Sequence, residues 1–189
     1  MKKVLLVLVL SLFAGSAVWG FDGHRKGFIV GGGVGFGSTA YKEKIVSPFG
    51  SSETDWASVF AFMTEFKIGY APNSQLEIFY SDKGSWFDYF GSVALNGLGT
   101  ASINYYLKPE GPTFYLGGGL GFSTFTLPFE NNSDVELGFG FYVGSGYEFT
   151  RHFAVQLDFM YGMPKQKSGG FEYTFTGFTP RVTIIGTAF

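Results

Sequence analysis

Thr183-Ile184-Ile185-Gly186-Thr187-Ala188-Phe189 ends the chain. Read in extended form, Thr183, Ile185, Thr187 and Phe189 share one face and Ile184, Gly186 and Ala188 the other, the period of two that a strand imposes. The spacing predicts a strand with its Phe189 lane turned toward apolar surroundings.

Working back from that run, the same reading gives eight segments, the last opening near Phe171. The first sets Phe28, Val30, Val34 and Phe36 against Gly31, Gly33, Gly35 and Gly37. The second sets Phe60, Phe62, Phe66, Ile68 and Tyr70 against Ala61, Met63, Glu65, Lys67 and Gly69. Two charges in the second lane mark it as the wet one. Leu76, Ile78 and Tyr80 then alternate with Glu77 and Phe79, and Ala101, Ile103 and Tyr105 with Thr100, Ser102 and Asn104. The fifth and sixth segments place glycines between Phe114, Leu116, Leu120 and Phe122 and between Leu137, Phe139, Phe141 and Val143. The seventh sets Phe153, Val155, Leu157, Phe159 and Tyr161 against Ala154, Gln156, Asp158 and Met160.

Connections alternate in length. Those near 71–74, 108–112 and 150–152 are short, whereas 42–56, 82–91, 124–134 and 163–170 read as longer loops. This order predicts an all-β fold, an eight-stranded antiparallel up-and-down transmembrane β-barrel with short turns at one end. Phe28-Ile-Val-Gly-Gly-Gly-Val-Gly-Phe36 reads like Phe114-Tyr-Leu-Gly-Gly-Gly-Leu-Gly-Phe122, and Gln75–Tyr80 like Gln156–Tyr161, which suits four strands plus four. Convergent composition of barrel strands gives the same likeness.

Hydrocarbon offers no partner to a backbone N–H or C=O, so strands cross it only when closed into a cylinder. Eight strands leave a bore just wide enough for side chains. Arg181 is the discordant residue. On the Phe189 lane it would face lipid, where a midplane charge costs roughly 2–4 kcal/mol. Either it lies about 20 Å up, where it can snorkel, or a bulge at Pro180 turns it inward. The bulge is favoured, since Phe178 and Val182 would otherwise point into the bore. Tyr70, Tyr105, Tyr147, Phe149, Phe153 and Phe189 are expected in one aromatic belt and Tyr41, Trp56, Tyr80 and Tyr161 in the other.

Residues 1–20 carry Lys2 and Lys3, an apolar run from Val4 and small residues ending at Gly20, the pattern of a cleavable export signal. Residues 21–189 then form one barrel domain. Without the two leader lysines, 11 of the 13 basic residues remain against 15 acidic ones, a net charge of −4. That balance gives nucleic acid no basic surface. The absence of cysteine excludes disulfides, thiol catalysis and thiolate metal sites.

The expected inward charges are Glu65, Lys67, Glu77, Glu148 and Asp158, with Arg181 if the bulge forms. Opposite charges in a dry bore must pair, so Lys67, Glu77, Asp158 and Arg181 are expected to form a plug; an ion path or gate is the functional alternative. The glycine runs lie within strands rather than opening helices, so they do not cradle phosphate. His24 and His152 lie away from the outer rim, where an enzyme acting on surface lipid would need a base. No His–carboxylate cluster has metal-ligand spacing. Catalytic, cofactor and metal sites are therefore all expected to be absent. The aromatic, acidic stretch Trp86-Phe87-Asp88-Tyr89-Phe90 reads as a recognition loop or a headgroup anchor.

From about Gly27 to Phe189 the chain resembles small bacterial outer-membrane barrels of the OmpA/OmpX-like type, the outer membrane β-barrel domain or opacity-type porin family. The resemblance rests on the leader, the eight alternating segments and terminal Phe189. It implies a monomeric outer-membrane barrel among lipids and lipopolysaccharide, delivered by periplasmic chaperones to an assembly machinery that reads Phe189. It further implies a non-enzymatic role in envelope integrity, adhesion or surface recognition. The alternatives are a lipid-modifying hydrolase of the lipid A deacylase type and a narrow ion-conducting pore.

Overall fold

The computed structural model describes residues 25–130 and 135–189. The expected leader and His24 lie outside the described residues. The chain forms strands β1 Gly27–Ser47, β2 Gly50–Glu53, β3 Ala57–Asn73, β4 Leu76–Tyr89, β5 Ser92–Tyr106, β6 Thr113–Thr126, β7 Glu136–Thr150, β8 Phe153–Ser168 and β9 Phe171–Ala188. Each long strand pairs antiparallel with the next in sequence, and β1 pairs with β9 from Val30–Ala188 to Val46–Glu172. The wall is thus a closed eight-stranded up-and-down barrel. β2 stands outside the count, folding back on the end of β1 as a hairpin.

Alternation decides which way each residue faces. Phe36, Phe60 and Leu120 are 59%, 74% and 64% exposed on the outside, while Met63, Tyr142 and Met160 are buried inside. A belt of exposed phenylalanine around a polar interior inverts a water-soluble core and suits acyl chains. Both ends of the described chain lie at the end that carries the short turns, called here the near end.

Several sequence expectations are corrected. Segments 42–56, 82–91 and 163–170 are mainly strand rather than loop: β1 and β2 form a hairpin, β4 runs to Tyr89, and β8 runs to Ser168 before the Gly169–Gly170 turn. Both turn glycines have positive φ (58° and 84°), which lets two residues reverse the chain in step with strand twist. In 124–134, β6 runs to Thr126, and 131–134 lie outside the described residues. The far end is therefore a wall prolonged beyond the apolar belt.

The last strand faces opposite to the expected way. Thr179, Arg181, Thr183, Ile185 and Phe189 are buried inside, while Phe178 and Ile184 are exposed outside. The register of β9 against β8 and β1 is unbroken through Pro180, so no bulge turns Arg181 inward. The error lay in giving Phe189 to lipid. It packs instead with Ile29, Ala71 and Phe79 and closes the near end of the bore. Tyr41 likewise leaves the expected belt and points inward.

Extending β4 through residues 82–89 places Asp82 on the outward lane, in the row Phe66–Asp82–Gly99–Phe122. It lies six residues beyond Leu76, about 15 Å along the axis at a tilt near 40°. A carboxylate there opposes insertion. Asp82→Leu should raise stability in phospholipid vesicles by about 1–2 kcal/mol, measured by urea titration. No gain would put this row outside the hydrocarbon.

Candidate functional site: a filled bore and its far rim

Three polar groups fill the bore in series. At the centre, Lys83 from β4, fully buried, lies 2.7 Å from Glu65 and 3.2 Å from Asp158. Its ammonium also stands 4.2 Å from the Tyr142 ring centroid. Arg181 approaches Glu65 at 3.5 Å and Asp158 at 3.6 Å, and its Nη2 donates to the Thr64 carbonyl at 3.1 Å. Two cations thus offset two carboxylates, as desolvated charges require.

Toward the near end, Lys67 donates to Glu77 at 3.1 Å, and Glu77 also accepts from Asn104 at 3.1 Å and Tyr106 at 3.0 Å. The third group seals that end. Arg25, preceding β1, donates in bidentate fashion to Glu148 at 2.6 and 3.2 Å, donates to the Ser74 carbonyl and stacks 3.6 Å over Tyr106. The expected charges Glu65, Lys67, Glu77, Glu148, Asp158 and Arg181 all face the bore, but they divide among three groups.

Lys83 and Arg25 were missed, and each carries a group. Lys83 fell in a presumed loop, although its even spacing from Phe79 and Ser81 was the available signal. Arg25 precedes the first alternating residue, so periodicity could not place it. His152 lies at the near end, its Nδ1 2.9 Å from the Thr187 carbonyl oxygen and its ring 5.2 Å from Phe189.

An aromatic plug closes the far end. Tyr41 stacks on Phe87 at 5.8 Å and Phe175 at 5.3 Å, Phe125 stacks on Phe175 at 4.2 Å, and Tyr89 meets Phe125 edge-on. Phe87, expected in a recognition loop or a headgroup anchor, is therefore an interior residue. Above the rings, Tyr89 donates to Glu43 at 2.5 Å. Burial, with the charge of Glu43, raises the Glu136 carboxyl to about 7.

Because folding raises that value from 4.5, the stabilisation is complete below the unfolded value and lost as pH rises through 7. Solvent screening holds the loss between pH 5 and 8 to about 1 kcal/mol. Urea titrations at the two pH values should show it in the wild type and not in Glu136→Gln. An equal slope in both would assign the titration elsewhere.

A closed eight-strand wall with an apolar exterior and a polar, filled interior defines a small membrane-spanning β-barrel, the architecture that the resemblance implied. No protein-family model matches the chain, and no curated protein matches it. Among solved structures it is similar to Neisserial surface protein A, at 16% identity over 84% of this chain and 96% of that one, TM-score 0.49. It is also similar to OprG from Pseudomonas aeruginosa, at 16% identity over 88% and 97%, TM-score 0.47. A third is Ail of Yersinia pestis in complex with the heparin analogue sucrose octasulfate, at 12% identity over 82% and 98%, TM-score 0.37. At such identities the likeness is one of shape.

Proposed function

We propose that this chain is an outer-membrane barrel whose far rim recognises an apolar surface, without catalysis and without conduction. The observation that carries the reading is the placement of phenylalanine at the far-end turns. Phe49 between β1 and β2 is 97% exposed, Phe90 between β4 and β5 is 86% exposed, and Phe129 after β6 is 77% exposed. Phe171, at the β8–β9 turn, is also exposed. Large rings held in water on separate turns are the anchors that interfaces use. A bond from Ser92 to Glu130 at 2.6 Å ties the β4–β5 turn to the segment carrying Phe129.

The filled bore supports the same reading. Three charge groups and an aromatic plug occupy it, so planar-bilayer recordings should show no steady conductance. Bacteria displaying the wild type should be retained on octyl-coated beads. The Phe49→Ser, Phe90→Ser, Phe129→Ser triple variant should be retained at least about fivefold less, since each ring brings on the order of 2 kcal/mol of transferable surface. Equal retention would overturn rim recognition. Loss of acyl chains from membrane lipid on expression would overturn the non-enzymatic part.

A further inference from the structure

On the outside of the wall, where β1, β9 and β8 run side by side beyond the apolar belt, three lysines line a shallow groove and a fourth, Lys167, stands above it. Lys44 on β1 pairs with Thr174 on β9, which pairs with Lys165 on β8. Lys42 pairs with Thr176 one row below, and Lys167 with Glu172 one row above. Lys42, Lys44, Glu53, Lys165, Glu172, Thr174 and Thr176 line a groove of about 300 Å³.

Charge and depth both bear on the occupant. Glu53 pairs with Lys42, and Glu172 with Lys165 and Lys167 at 3.4 and 3.1 Å, so four ammonium groups face two carboxylates. Lys44 and Lys165 flank Thr174 across two strand spacings, about 10 Å. That span admits one phosphate between converging ammonium groups, with the threonine hydroxyl as a further donor.

Below the Lys42–Thr176 row comes Ala40–Phe178–Tyr161, and the rings of Phe178 and Phe159 stack at 5.9 Å. Thr174 lies ten residues beyond the lipid-facing Ile184, which is about 25 Å along the axis and the height of an apolar belt. The groove therefore sits at headgroup level, cationic above and aromatic beneath.

We propose that this face binds a phosphate-bearing lipid of the leaflet at the far end, its phosphate between Lys44 and Lys165 and an acyl chain along Phe178 and Phe159. The proposal rests on the outer-membrane reading above but not on rim recognition. Failure of one leaves the other standing, because the rim phenylalanines are outside the groove.

The test uses the full barrel in phosphatidylcholine nanodiscs with traces of bis-phosphorylated lipid A or its dephosphorylated form, and native mass spectrometry counts the lipid retained. The wild type should retain the phosphorylated form at least about tenfold better. Lys44→Gln with Lys165→Gln should abolish that preference, while Lys108→Gln at the near end should keep it. Thr174→Val should weaken it severalfold. Equal retention of the two lipids by the wild type, or an undiminished preference in the double variant, would overturn the site. Displacement by millimolar inorganic phosphate would show a free-anion site and overturn the lipid assignment. The lysines are on the surface, and the wild-type lipid comparison needs no variant to fold.

Discussion

Lys83→Met should destabilise the barrel by about 3–5 kcal/mol, because it leaves two carboxylates desolvated without their shared ammonium. Glu65 and Asp158 lie 2.7 and 3.2 Å from that ammonium. Arg181, at 3.5 and 3.6 Å, is too distant to take over with full hydrogen bonds. Adding Glu65→Leu to Lys83→Met should recover much of the loss, since an apolar pair of similar volume is often as stable as a buried ion pair. Urea unfolding in detergent micelles, arranged as a double-mutant cycle, measures both effects. Lys67→Met offers a graded comparison: Glu77 keeps its bonds from Asn104 and Tyr106, so the cost should be smaller, about 2 kcal/mol. A cost under about 1 kcal/mol for Lys83→Met would mean that the central charges do not hold the wall together.

Wherever large apolar and small residues alternated, strand direction and facing were legible. Phe60–Ile68 against Ala61–Lys67 gave one answer, and the structure has it. The terminal run was ambiguous in principle. Ile184 and Ile185 are equally apolar, and nothing local says which meets lipid. Arg181 was the informative residue, since its cost in hydrocarbon exceeds any gain from exposing Phe189. Reading the strand from the charge rather than from the terminal ring would have set its lanes correctly without a bulge.

The loops failed for a related reason. Residues 82–89 and 163–168 carry charges and turn formers, which resemble loops locally. Yet beyond the apolar belt the outer face of a barrel wall is free to be polar, so composition stops reporting on strand structure there. Lys83, Lys165 of the groove, and Phe87 and Tyr89 of the aromatic plug all arise from those stretches. Only pairing across strands brings them together.

The second large effect concerns how narrow the wall is. A methyl group built on Gly121 would run into the Gly99 carbonyl oxygen and lie 2.9 Å from the Thr100 Cα, both backbone atoms. No rotamer change relieves such a clash, so β5 and β6 would have to separate, breaking ladder bonds in a closed sheet with no spare edge. Gly121→Val should therefore cost more than about 3 kcal/mol, at the upper end for overpacked sites. It should appear on a gel as loss of the fast-migrating folded band. Gly32 supplies the control, for a Cβ there meets nothing nearer than the Glu65 carbonyl at 3.5 Å. Gly32→Ala should stay within about 0.5 kcal/mol of wild type. If both variants fold alike, the two strands do not approach each other this closely, and the bore is wider than its packing of Tyr115, Tyr142 and Met160 requires.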